Sequence, residues 1–425
     1  MNGHHRSLAV TVLLSGAFAP AQATTASTPL LRIVANEARW MAAFAQPLGL
    51  VLPALDADKQ FEVVLPMSGT ATFATAVDRL PAHTLVVDVR GAAWLQQEAQ
   101  AVATVERQLA TRAEGFAKLV GLPGNAAREL CTEVFALARS LEAAHVVVTQ
   151  VDAGRHYDIH LELVPLADSP FARWLDTVVP AKEASPHLPW PDAVLRLELA
   201  VDRDTFPAVC APFVPFVTAF GIQRRDPTTA EADLRALLPL LDGSFHLALQ
   251  AGRLGLVYGL RDGASFAARA TDPERLRQDT DDLASQRIEA EFTPAACTHR
   301  GVPLLRSRVH GRQPLPGLAN ADGDLVSFGG RVGDLWLQIG GGEDSRESMQ
   351  GAIDNALDGK LRGPSAASPA NAEAAWLTCG VDLVRLAAML ASTPSAASIP
   401  ADAPGRLHLS LSSSPHSLNA LLQLR

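Results

Sequence analysis

Three segments of this chain share a pattern that restricts what it can become. They read "TLVVDVRGAAWL" at 84–95, "LRLELAVDRDTF" at 195–206 and "WLTCGVDLVRLAAML" at 376–390. In each, apolar residues recur at every second position up to a Val-Asp pair: Leu85 and Val87, then Leu197, Leu199 and Val201, then Leu377, Cys379 and Val381. Period-two alternation marks a strand buried on one face. Beyond the aspartate the period lengthens, as Phe206, Val209 and Phe213 or Leu386, Met389 and Leu390 show. Asp88, Asp202 and Asp382 therefore fall where a strand hands over to a helix. A carboxylate there accepts hydrogen bonds from the first free N–H groups and suits the positive helix end. A catalytic aspartate is the sharper reading of such a residue. Three equivalent copies favour the capping role, because an active site seldom needs the same group at every unit.

The segments beyond those helices recur as well. "HVVVTQVDAGRHYDIHLELVPL" reads as two strands joined at Asp152-Ala153-Gly154, and a helix then starts at Ser169-Pro170, with Ser169 as its cap. "SFHLALQAGRLGLVYGLRD" gives a second hairpin turning near Gly252. A third is expected in "DLVSFGGRVGDLWLQIGGGEDSRESMQGAIDNAL", turning at Gly329-Gly330, with Asp344 and Glu347 at capping-box spacing. The C-terminal copy is abbreviated to a strand at 407–411 and a helix capped by Ser414. The common denominator is strand, helix, hairpin, helix. The expected fold is α+β, with tandem units forming antiparallel sheets and helices on one face. Pro-rich punctuation at 178–193 and linker composition at 361–375 divide the chain into 24–180, 190–360 and a C-terminal piece, 375–425, too short for its own core and expected to complete a neighbouring sheet.

The N-terminus reads as a secretory signal peptide over residues 1–23. Arg6 precedes the apolar run Leu8–Ala19, and Ala21-Gln22-Ala23 forms an A-x-A site, so cleavage is expected after Ala23 and the periplasm is the expected address. Beyond it no apolar run is long enough for a membrane span. The formal charge is −9, and the 36 basic residues form no cluster of the kind that contacts nucleic acid, which excludes that class. Cys131, Cys210, Cys297 and Cys379 lie far apart with no C-x-x-C. In an oxidising compartment they allow two disulfides in three connectivities; the plainer reading is four small packed hydrophobes.

Few residues suggest chemistry. His156, Asp158, His160 and Glu162 alternate with Tyr157, Ile159, Leu161 and Leu163, which puts two histidines and a carboxylate on one strand face. Such a face can bind zinc or a related ion if a neighbouring strand adds ligands, His145 being the evident candidate. Without them it is the solvated side of a hairpin, and the second hairpin lacks the histidine pair. There is no G-x-S-x-G, S-x-x-K or H-E-x-x-H motif, and no cofactor is expected. "GGGEDS" at 340–345 could cradle phosphate, but Glu343 and Asp344 would repel it, so a turn plus cap is expected. "CAPFVPFVTAF" at 210–220 reads as a buried helix start or an exposed apolar lip. The expectation is a non-catalytic exported protein that binds an envelope protein or an apolar small molecule. The rivals are a periplasmic hydrolase whose site assembles only in space, and a metal-binding protein using the 156–162 face.

Overall fold

The computed structural model describes residues 29–35, 61–66, 72–75, 84–90, 93, 96, 99–119, 124–151, 156–182, 185–190, 192–214, 227–250, 252–285, 287–310, 323–341, 344–361, 375–390, 405–414 and 417–425. The expected signal peptide at 1–23 and the expected turn at Asp152-Ala153-Gly154 lie outside them. The fold is mixed α+β with antiparallel pairing, and the chain divides into two compact units, 1–175 with 414–423 and 176–413 with 424–425.

In the first unit the strands are β1 (Pro29–Ala35), β2 (Phe61–Pro66), β3 (Thr72–Thr75), β4 (Thr84–Val89), β5 (Leu141–Val151) and β6 (His156–Pro165), in the order β6-β5-β4-β1-β2-β3. Helices α1 (Ala99–Leu119) and α2 (Gly124–Arg139) connect β4 to β5, and α3 (Pro170–Leu175) comes after β6. Arg128 pairs with Glu114, and Arg139 with Glu106, so α1 and α2 are tied at two points. Residues directly opposite in an antiparallel pair share a face. Leu85, Val148 and Ile159 thus form one apolar row, and Val87, Val146 and Leu161 the next.

The second unit's strands are β7 (Leu195–Ala200), β8 (Leu241–Gln250), β9 (Arg253–Leu260), β10 (Glu289–His299), β11 (Val302–His310), β12 (Leu325–Val332), β13 (Leu335–Gly341), β14 (Ala375–Asp382) and β15 (Arg406–Ser414). Their order is β10-β11-β12-β13-β9-β8-β7-β14-β15. The helices are α4 (Phe206–Cys210), α5 (Pro227–Leu237), α6 (Gly263–Ala270), α7 (Pro273–Ser285), α8 (Ser345–Leu357) and α9 (Leu383–Leu390). The last strand, β16 (Ser417–Leu424), runs beside β6 in the first unit up to Gln423.

The main core of the second unit lies on one side of its sheet. Val257, Leu337 and Ile339 pack there against Met349 and Ile353 of α8, all fully buried. On the other side Met389 of α9 packs with Val194 and Leu249, and Phe266 of α6 meets Tyr258 and Trp336. Helices therefore cover both faces of this sheet, where the sequence suggests one. The physical reason is that β8 and β9 carry large apolar residues in both phases of their alternation, as Val257 beside Leu256 and Tyr258 shows.

Two expected turns are corrected. Gly329 and Gly330 sit inside β12, and the hairpin turns at Gly333 and Asp334. The two glycines are there for packing. A Cβ on Gly329 would lie 3.0 Å from the Trp336 ring, and one on Gly330 would lie 2.7 Å from Leu304. Gly333 supplies the left-handed turn conformation, with φ 60°. Ser414 begins no helix, because the chain continues as β16. Its hydroxyl does accept from the Ser417 N–H at 3.1 Å, the bond a cap would make, but between the end of β15 and the start of β16. "SLNALLQL" alternates Leu418, Ala420, Leu422 and Leu424 with Asn419 and Gln423, and that period of two prevails over the Ser-Pro signal.

Two glycines respond in opposite ways to an added methyl group. Gly330→Ala forces overpacking and lowers stability by about 1–3 kcal/mol in urea unfolding. Gly351→Ala, on α8 with open space where its Cβ would go, raises stability by about 0.5–1 kcal/mol.

Candidate functional site

The feature of the second unit with most functional content is one face of β9, β8, β7, β14 and β15. Register builds three parallel rows across these strands. The middle row is Leu256, Leu247, Leu197, Cys379 and Leu409. On one side runs Tyr258, Phe245, Leu199, Leu377 and Leu411, and on the other Leu254, Leu249, Leu195, Val381 and Leu407. Every position is apolar, and all but Leu249 are half-buried. Phe266 of α6 shades the aromatic end of the first flanking row, where the Phe245 and Tyr258 rings are 5.1 Å apart. Leu386 and Met389 of α9 pack on Leu249, Leu195 and Leu254 in the other. Among the described residues, α6 and α9 pack on the two flanking rows, and the middle row lies between them. Its five residues span four inter-strand spacings, roughly 19 Å.

The opposite face of the same strands is built differently. Val257, His246, Glu198, Thr378 and Ser410 are in register, and so are Gly255, Ala248, Arg196, Gly380 and His408. His246 is 1% exposed. The backbone N–H of Leu188 donates to its Nδ1 at 3.2 Å, and its Nε2 lies 3.7 Å from Glu198 Oε1. An Nδ1 that accepts cannot be protonated, so the contact selects the neutral tautomer with hydrogen on Nε2. Burial lowers the His246 pKa to about 4, with the neighbouring His187 and Arg196 charges adding to the effect. Burial lowers that of His408 as well, with Glu198 opposing. This polar layer keeps β7, β14 and β15 facing one way, since a reversed strand would put Arg196 and Glu198 among the leucines.

The residues singled out from sequence take varied places in the fold. His156, Asp158, His160 and Glu162 do lie on one face of β6, opposite Val151, Thr149, Val147 and His145. Asp158 accepts from Gln423 Nε2 at 3.2 Å, His160 is exposed, and His145 is bound to Asp88, with Arg32 3.8 Å from the same carboxylate. Among the described residues no group of three or more His, Cys, Asp or Glu is arranged to hold a metal ion. Asp88 acts within the sheet as an ion-pair partner. Asp202 accepts from the Asp204 N–H at 3.0 Å, Asp382 from the Arg385 N–H at 2.9 Å, and Ser169 from the Ala172 N–H at 3.0 Å. The four cysteines stand as thiols. Burial pushes Cys210 up to about 11 and raises Cys131 and Cys379. Cys297 and Cys379 are seven strands apart in the sheet order, roughly 30 Å, far beyond the Cα separation of about 7 Å that a disulfide spans. Residues 215–220 of the 210–220 segment lie outside the described residues; in the described part Ala211–Phe213 forms a short 3₁₀ turn, Val214 beyond it is buried and Phe213 is exposed.

No protein-family model, curated protein or solved structure matches the chain. The geometry of the site alone therefore has to indicate function. Sequence reasoning passed over the leucine rows and the Glu198–His246 pair. Each strand's alternation is visible in isolation, and the signal available for His246 and Glu198 was a charged or titratable group in the polar phase of an otherwise leucine-rich strand.

His246 makes stability depend on pH. Its ordinary pKa is 6.5 and its folded value about 4, so below pH 6.5 the unfolded chain takes up a proton that the folded chain refuses. Stability therefore falls as pH drops from 6.5 towards 4, by about 3 kcal/mol in total. Urea midpoints across that window should show the slope, and His246→Gln should reduce it.

Proposed function

We propose that this is an exported cell-envelope protein that works by binding rather than by catalysis, and that its ligand is a slender apolar chain lying along the middle row of the second unit's sheet. The observation that carries the reading is the uninterrupted apolar character of three in-register rows on a face that remains partly open to solvent. Leaving that much apolar surface wet costs about 25 cal/mol for every Å², so a face of this kind serves a partner. Its shape favours a chain over a flat protein surface. The strip is inset between α6 and α9, and its residues are half-buried rather than prominent. An acyl chain reaches across half of a bilayer's hydrocarbon core, about 15 Å, which is close to the length of the row.

Export from the Leu8–Ala19 run and the Ala21-Gln22-Ala23 site belongs to this proposal. So does the reading of the units as variants of one strand–helix–hairpin–helix plan, supported by the recurrence of aspartate at the ends of β4, β7 and β14. Among the described residues no helix is long and apolar enough to cross a membrane.

Cys379 is one of the five residues of the middle row and reports directly on occupancy. Palmitate should slow maleimide alkylation of Cys379, read by peptide mass spectrometry at alkaline pH because burial holds the thiol above its usual pKa. Leu197→Asp, its register neighbour, should remove the protection while the circular dichroism spectrum stays unchanged. An alkylation rate at Cys379 that ignores palmitate in the wild-type protein would discard the acyl-chain reading and leave a protein partner as the occupant.

A further inference from the structure

A second site, independent of the apolar face, lies at the end of the same sheet. A cavity of about 480 Å³ is lined there by Lys182, Asp202, Arg203, Asp242, Ser244, Arg261 and Asp334, over a floor that includes Val201 and Leu260. The volume is within the range of pockets that hold small molecules.

The backbone builds the cavity one strand at a time. Residues 180–182 run along the end of β7: Pro180 bridges to Val201, and Ala181 N–H donates to Ala200 O at 3.0 Å. On the other side of β7, Val201 N–H donates to Gly243 O at 3.0 Å. Leu260 N–H, at the end of β9, donates to Asp334 O at 2.8 Å. Lys182, Asp202 with Arg203, Asp242, Arg261 and Asp334 are thus carried in by successive segments, and the signs of their charges alternate across the cleft.

Asp242 and Ser244 are aimed by a deliberate irregularity. The β8–β9 register shifts between Leu241 and Phe245, leaving the three residues 242–244 as a bulge opposite Gly259. Bulges of this kind re-aim side chains and recur beside functional sites. Two glycines permit it. Gly243 has φ 90°, and a Cβ on it would strike Val201 O at 2.1 Å. A Cβ on Gly259 would occupy the space of both the Asp242 carboxylate and the Ser244 hydroxyl, at 2.1 Å from each. Asp242 Oδ1 accepts from the Ser244 N–H at 2.8 Å and from its hydroxyl at 2.5 Å, so the carboxylate is fixed before any ligand arrives. Arg261 is steadied in turn by Asp204 at 3.0 Å.

The geometry points to a binding site for a small zwitterion that carries an ammonium and a carboxylate, such as an α-amino acid or a short peptide. The lining offers three cations and three carboxylates, so its charge balances. A neutral ligand with two poles satisfies both kinds of group. A simple anion or cation would confront groups of its own sign on the same lining. The fixed Asp242 carboxylate receives the ammonium, and Lys182 with Arg203 receives the carboxylate. The Ser244 hydroxyl donates to Asp242 and so helps to hold the carboxylate in place for the ammonium.

Isothermal titration of the purified chain with L-alanine and L-alanyl-L-alanine tests this, with N-acetyl-L-alanine and L-alanine methyl ester as the anion-only and cation-only controls. Saturable binding is expected for at least one zwitterion, and whichever is tighter separates the free amino acid from the peptide. Each control should bind about tenfold more weakly or worse. Asp242→Asn should weaken the zwitterion by a similar factor. Because that change also touches the bulge, the exposed Lys182→Ala should do the same with an unaltered melting temperature. Equal binding of a control, an unchanged affinity in Lys182→Ala, or no saturable binding of either zwitterion overturns the inference. None of these results bears on palmitate protection of Cys379.

Discussion

Cross-strand register is the constraint on which the second unit depends. Because side chains alternate between faces, a slip of one residue anywhere between β9 and β15 would exchange a row of leucines for Arg196, Glu198 and their neighbours. The register is pinned from both sides of the sheet. Leu188 binds the buried imidazole of His246 on one side, and the Phe245–Tyr258–Phe266–Trp336 ring contacts lock β8, β9 and α6 on the other. Glycines fix it further by accepting what no side chain would allow, as where the Trp336 ring lies over Gly329.

This division of labour lets one face of the sheet be dry while the other stays partly wet. Its main core lies beneath α8, where Leu337, Ile339, Met349 and Ile353 lose all contact with water. The opposite face is only partly covered and can remain so without endangering the fold. Two kinds of chemistry are then kept apart. The apolar strip crosses the strands in the middle of one face, and the charged cavity gathers at their ends, where the bulge and the residue 180–182 segment interrupt regular pairing. A sheet interior supplies continuous apolar rows, and strand ends supply free backbone and turns on which charges can be mounted.

The parts of this arrangement that were legible in the sequence are the local ones. Alternation located β4, β7 and β14, and Ser169, Asp202 and Asp382 accept backbone bonds just beyond their strands. Misreadings arose where one signal stood for two causes. Gly329-Gly330 has turn composition but serves packing, and Ser414-Pro415 has cap composition but precedes an alternating strand. The β10–β11 hairpin escaped because Pro294 and a register break interrupt its pattern. The candidate sites were illegible for a deeper reason. The middle row joins residues from 197 to 409 through pairings such as β7 with β14, and strand order of that kind is set by tertiary energetics that no single segment records.

The same break in β10 has a wider meaning. β10 stands at one end of the second unit's strand order, where unpaired backbone groups are a template for any other extended chain. Between Thr293 and Cys297 that template is spoiled. Pro294 has no N–H to offer, Ala295 has φ 51°, and Glu289 and Glu291 place charge along the exposed strand. A fibril-forming neighbour that tried to extend the sheet there would find no continuous ladder. A protein that leaves leucine-rich strands partly exposed has particular need of such a guard, because an open ladder beside an apolar face would invite sheet-to-sheet association.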